Sequence, residues 1–174
     1  MSPEQAEPPY AADEVTMLRA WLDHQRSTFR RKTRGLTRDQ MTTTHPPSTS
    51  TLAGLVHHLT YVEDWWFSVV LHGRESRSPF DAVDWDATPD WELDTAVDHE
   101  PEHLHGFFDD VVAASDADLD QALTGGGLDT RAARTRRGEA PTLRWVLLHL
   151  IEEYARHNGH ADLIREAVDG STGT

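Results

Sequence analysis

The stretch Pro141–Val168, PTLRWVLLHLIEEYARHNGHADLIREAV, decides the fold. Leu143, Leu147, Leu150, Tyr154, Ala161, Ile164 and Val168 recur at spacings of three and four, which predicts one long amphipathic helix. Pro141 and Thr142 supply a start signal, and Gly170 with Ser171 a stop. The apolar series skips position 157, which is histidine. Glu153 lies about 40° from His157 around the helix, so an acid and an imidazole are expected to point together into the core layer. A buried carboxylate is costly unless it is paired or binds a metal.

Upstream, a second helix is expected from about Ser50 to His72, with the stripe Leu52, Leu55, Leu59, Val62, Trp66 and Val69. His58 falls on the edge of that stripe, about 40° from Val62, whereas His57 is expected on the solvent side. A first helix is expected from Ala11 to about Arg34, with Val15, Leu18, Leu22, Gln25 and Phe29 on one face and Trp21 beside it. Cations at its far end suit the helix dipole, and Gly35 closes it. A third helix is expected over about Asp94–Ser115, carrying Val97, Leu104, Phe108 and Val111.

Three connections separate these helices. Residues 37–50 are rich in Thr, Pro and Ser, and residues 73–93 hold Trp85 and Trp91, which suits a packed lid. Residues 116–139, with three consecutive glycines and several arginines, read as irregular. No strand-like alternation stands out. The expected architecture is therefore all-α: one four-helix bundle over residues 11–170 with long connections, preceded by a loose arm over residues 1–10.

Composition narrows the function. The chain of 174 residues has no cysteine, which excludes disulfides, thiolate metal sites and a cysteine nucleophile. A net charge of −14 argues against nucleic acid, whose phosphates select basic stripes. No apolar run approaches the roughly 18–20 residues needed to span a bilayer, and the first residues lack a leader pattern, so a cytoplasmic location is expected.

His58, Glu153 and His157 are the candidate metal ligands. Two imidazoles and a carboxylate, converging from facing helices with further positions open, are the donor set of a catalytic site for zinc or a similar divalent ion. The rival reading is a buried Glu–His ion pair capped by a second histidine. His149 and His160 flank Glu153 at about 40° and 20°, where each would orient the carboxylate or touch substrate, and His160 is an alternative ligand to Glu153. His99 and His103 sit among acidic neighbours and read as a solvated face, and His24, His45 and His72 as surface or helix-end residues. The tryptophans read as core and lid.

The segments LAGLVHHLTYVEDWWF and TLRWVLLHLIEEYARHNGHADLIRE, with LRAWLDHQRSTFRRKTRGLT before them, resemble the DinB-like four-helix-bundle superfamily, near the mycothiol-dependent maleylpyruvate isomerases. The likeness covers nearly the whole chain. It implies a DinB-type bundle and a metal triad onto which His58 and His157 map. Glu153 stands where many members have a third histidine, and matches the isomerase-type Glu-x-x-x-His pattern. It also implies a zinc or nickel cofactor that activates a small thiol of the mycothiol kind towards an electrophilic substrate.

The expected activity is thus a metal-dependent thiol S-transferase or isomerase, in which His160 or Arg156 would steer an anionic substrate group. The alternatives are a hydrolase using metal-activated water and a non-catalytic metal-binding stress-response bundle. Trp145, Leu148 and Leu163 lie off the main stripe, available to a homodimer or to the long connections.

Overall fold

The computed structural model describes residues 7–172. Three of the four long helices begin where a side-chain oxygen can take a free backbone N–H. Asp13 accepts from the Thr16 amide to start α1 (Glu14–Thr33). Thr51 accepts from Gly54 to start α3 (Leu52–Glu63), and Thr142 from Trp145 to start α6 (Leu143–Asp169). The fourth, α5 (Pro101–Gly126), places Pro101 in its first turn, where a missing N–H costs nothing. Short helices α2 (Arg38–Met41) and α4 (Trp91–Thr95) punctuate the connections. The fold is all-α, as expected, and the described residues form only isolated β-bridges.

Two boundaries differ from expectation. The third helix starts later and runs on to Gly126, because Leu119 and Ala122 continue the buried stripe set by Leu104, Phe108 and Val111. The glycines at 125 and 126 stay helical, and the chain turns only at Gly127, whose φ is +66°. Val97, expected on that helix, precedes it and is exposed. The second helix continues past Glu63 as a π-helix over Asp64–Leu71. Its wider turn buries Asp64 and then every residue from Trp66 to Leu71, more than one stripe of an α-helix would cover. Of the expected N-terminal arm, residues 1–6 lie outside the described residues, and Tyr10 is exposed.

One apolar cluster draws on all four long helices, with Leu22, Phe29, Leu55, Leu59, Phe108 and Leu147 among its members. Through it runs a polar network that the sequence does not advertise. Arg26 of α1, 1% exposed, donates from Nε and Nη2 to both oxygens of Glu63 at 2.7 Å, and Glu63 is itself fully buried. Tyr154 of α6 donates its hydroxyl to Glu63 at 2.7 Å, and Arg26 reaches Asp116 of α5, also at 2.7 Å. Four helices meet in that network. Burial and the Glu63 charge push the Tyr154 phenol well above its ordinary range, so it stays a donor. No helix among the described residues is long and apolar enough to cross a membrane.

Removing one partner of a buried pair strands the other charge. Arg26→Met is therefore expected to lose about 3–5 kcal/mol in urea unfolding. Tyr154→Phe is expected to lose about 1.5–3 kcal/mol, the value of one hydrogen bond to a charged group. Equal, near-zero losses would contradict the network.

Candidate metal centre

The expected stripe on α6 drifts as it climbs. At the level of position 157 the buried residue is Asn158, whose amide donates to the Gln25 carbonyl at 3.1 Å and its side-chain oxygen at 2.8 Å. An α-helix turns every 3.6 residues rather than 3.5, so the next core slot moves forward by one. His157 is thereby rotated off the core centre toward α3, and Glu153 with it. Neither is fully buried: their side chains are 13% and 15% exposed. The expectation that both lie within the core layer is corrected to a half-open mouth between α3 and α6.

In that mouth His58, Glu153 and His157 come together, with one ligand atom of each lying within 4.8 Å of the others. The His58 and His157 rings stand 4.9 Å apart at 66°, and His157 Nε2 lies 3.4 Å from Glu153 Oε2. The outer nitrogens are occupied. His58 Nδ1 is 2.8 Å from Glu92 Oε1, so its N–H is directed to that carboxylate and Nε2 keeps a lone pair for the mouth. His157 Nδ1 meets His160 Nδ1 at 3.3 Å, and His157 Nε2 faces the mouth beside Glu153. Burial, with the neighbouring His58, His160 and Arg156, pushes the His157 pKa down to about 3. It is neutral at working pH, the form that binds a metal.

The other candidates take distinct places. His160 is exposed and touches His157 rather than Glu153. Arg156 is paired with Glu152 and reaches Glu153 at 3.8 Å. His149 has Nε2 3.6 Å from Glu153 Oε1 while its ring stacks on Trp145 at 4.9 Å and meets Trp66 edge-on at 4.7 Å. With Glu152 and Glu153, His149 forms a second group whose ligand atoms approach within 4.8 Å. Its pKa is lowered by burial.

His57 corrects an expectation. Instead of facing solvent it is 2% exposed, with Nδ1 2.9 Å from the Glu92 carbonyl and its ring among Phe80, Trp91 and His99. The connection after α3 folds back over this flank, so both sides of the helix are covered. That connection also delivers Glu92, 4% exposed, which spacing along one helix cannot reveal. The one signal for it is a glutamate set between Trp91 and Leu93 in an otherwise loop-like segment.

The sequence model of mycothiol-S-transferases matches residues 17–170. The chain belongs to the mycothiol-S-transferase family. This places it in the DinB-like superfamily, as the resemblance in the sequence implied. Comparison with curated proteins gives no match. Among solved structures, one described as the conserved protein of locus from Enterococcus faecalis superposes with a TM-score of 0.70. It shares 21% identity and covers 92% of this chain and 100% of its own, a likeness of fold.

The depressed pKa of His157 makes stability depend on pH. Between its ordinary value of 6.5 and about 3 the unfolded chain carries a proton at this position that the native chain refuses. Native stability of the metal-free protein should therefore fall as pH drops through that window. His57 and His149, also lowered, act in the same sense. Urea midpoints measured from pH 7 to 4 should fall less steeply for His157→Gln than for the parent. Parallel slopes would remove His157 as a cause.

Proposed function

We propose that the protein is a metal-dependent S-transferase that joins a small thiol of the mycothiol type to an electrophilic carbon. The observation that carries this reading is the cluster of His58, Glu153 and His157, two imidazoles and one carboxylate, in a family member with no cysteine of its own. The nucleophilic sulfur must then arrive with a cosubstrate.

The donor set fits a divalent transition ion such as zinc or nickel. His58 and His157 would bind through Nε2, His58 being held in that tautomer by Glu92 at its Nδ1 and the His157 ring being steadied by His160. Glu153 would bring the negative charge. When bound, such an ion stabilises a thiolate at neutral pH. The half-open mouth lets the thiol proton leave to solvent. The sulfur forms its bond to the electrophilic carbon, and the leaving group departs with the bonding pair. The chain orients both reactants; Trp66 and Trp145, packed against His149, form an aromatic flank beside the mouth.

Mass spectrometry of protein purified without chelator or nickel resin should find close to one transition ion per chain, lost in both His58→Ala and His157→Ala. Glu92→Ala should weaken metal binding about 10–100-fold, with a smaller effect for Glu92→Gln. Conjugation should require both the ion and an added thiol. Turnover without thiol would point to hydrolysis instead, and a chain that takes up no ion would leave Glu153 and His157 as a polar contact between a carboxylate and a neutral imidazole.

A further inference from the structure

Beside the metal centre lies a cleft of about 490 Å³, within the size range of small-molecule sites. It is lined by Trp66, Trp145 and His149 and by the turn bearing Arg136 and Arg137. His149 belongs to both places, lining the cleft while its Nε2 lies 3.6 Å from Glu153. The cleft therefore opens next to the donor set.

Most arginines of the chain meet carboxylates, as Arg74 meets Asp118 and Arg144 meets Glu14 and Asp129. Among the described residues, Arg136 and Arg137 form no ion pair and no side-chain hydrogen bond. In a chain of net charge −14, two unpaired guanidiniums on one turn are a local inversion of the field. Arg136 sits over Trp66, 5.2 Å from the ring centre, and its guanidinium N–H groups have no protein acceptor among the described residues.

The backbone supports the same reading. Residues Arg136–Glu139 form a two-residue turn closed by Arg136 N–H to the Glu139 carbonyl at 2.7 Å and the reverse bond at 3.1 Å. Its two central residues have φ of +53° at Arg137 and +84° at Gly138. That conformation favours Asn-Gly, and arginine is the only non-glycine at positive φ among the described residues. Backbone cost is carried at a residue whose side chain reaches the cleft. The connection is also anchored, since the Ala133 and Arg134 amides donate to the Leu71 and Val70 carbonyls at 3.0 Å.

We propose that this cleft binds the electrophile, and that the electrophile is a carboxylate on a flat, conjugated frame. The planar frame packs against Trp145, which is 45% exposed, and the carboxylate takes paired N–H groups from Arg136 and Arg137. Glu139, exposed on the same turn, leaves a local surplus of one positive charge, which suits a monoanion. The cleft thus supplies the anion-steering groups; Arg156, tied to Glu152, and His160, set against His157, are engaged elsewhere. The orientation of the ligand, frame toward Glu153, rests on the thiol-transfer reading; the anion site itself does not.

Benzoate and its neutral counterpart benzamide are the probes, titrated by calorimetry into the purified full-length chain and into Arg136→Gln, Arg137→Asn and His58→Ala. Benzoate should bind at least about tenfold more tightly than benzamide, and each arginine change should weaken benzoate about tenfold while leaving benzamide alone. Arg137→Asn should keep or raise the thermal midpoint, because asparagine tolerates the positive φ, so lost binding there is not lost folding. His58→Ala should bind benzoate like the parent, which separates failure of the metal reading from failure of the cleft. Equal binding of the two probes, or unchanged benzoate binding in both arginine variants, would overturn the anion site. Adding 2-mercaptoethanol to the metal-loaded protein should leave benzoate affinity unchanged; competition would assign the cleft to the thiol and overturn its assignment to the electrophile.

Discussion

The buried pair of Arg26 and Glu63 is the constraint on which the arrangement depends. Two opposite charges removed from water tolerate little misalignment, because a displaced partner leaves the other unsolvated. Here the pair also holds the Tyr154 hydroxyl and Asp116, so each of the four long helices contributes one group to a single polar centre. The apolar cluster around it would accept several sliding arrangements of the helices. The network admits one. It fixes the height of α3 against α6, and with that height His58 comes level with His157.

The centre is then framed by residues the bundle cannot easily release. Tyr154 follows Glu153 directly and is locked to Glu63; Asn158 follows His157 directly and is locked to Gln25. Each candidate ligand on α6 has a core-anchored neighbour, so its direction is inherited from packing rather than from its own contacts. The π-helical stretch after Glu63 adds to this by turning Trp66 toward His149 and Trp145. An aromatic wall thus stands beside the acidic and imidazole groups.

Much of this was legible in the sequence because it depends on positions along single helices. The stripes on α1, α3 and α6 gave the bundle, and the i, i+4 pair with the second histidine of α3 gave the three residues that meet. What escaped depends on chain segments whose path is set by tertiary packing. Glu92 and the covering of His57 come from a connection with no periodicity, and Arg136 and Arg137 from a turn that looks like loop composition. The extension of α5 escaped because three glycines resemble a stop, although Leu119 and Ala122 before them keep the buried register. The pair Arg26–Glu63 escaped because each residue alone reads as an ordinary surface charge on an amphipathic helix.

The segment folded over α3 has a further consequence. Glu92 offers two neighbouring histidines different atoms: its carboxylate to His58 and its backbone carbonyl to His57. The cover is thus latched to the helix by the same ring that faces the mouth. The direction of the His58 ring is thereby inherited from a connection 34 residues further along the chain, so a change in the path of that connection reaches the mouth without touching either helix that frames it.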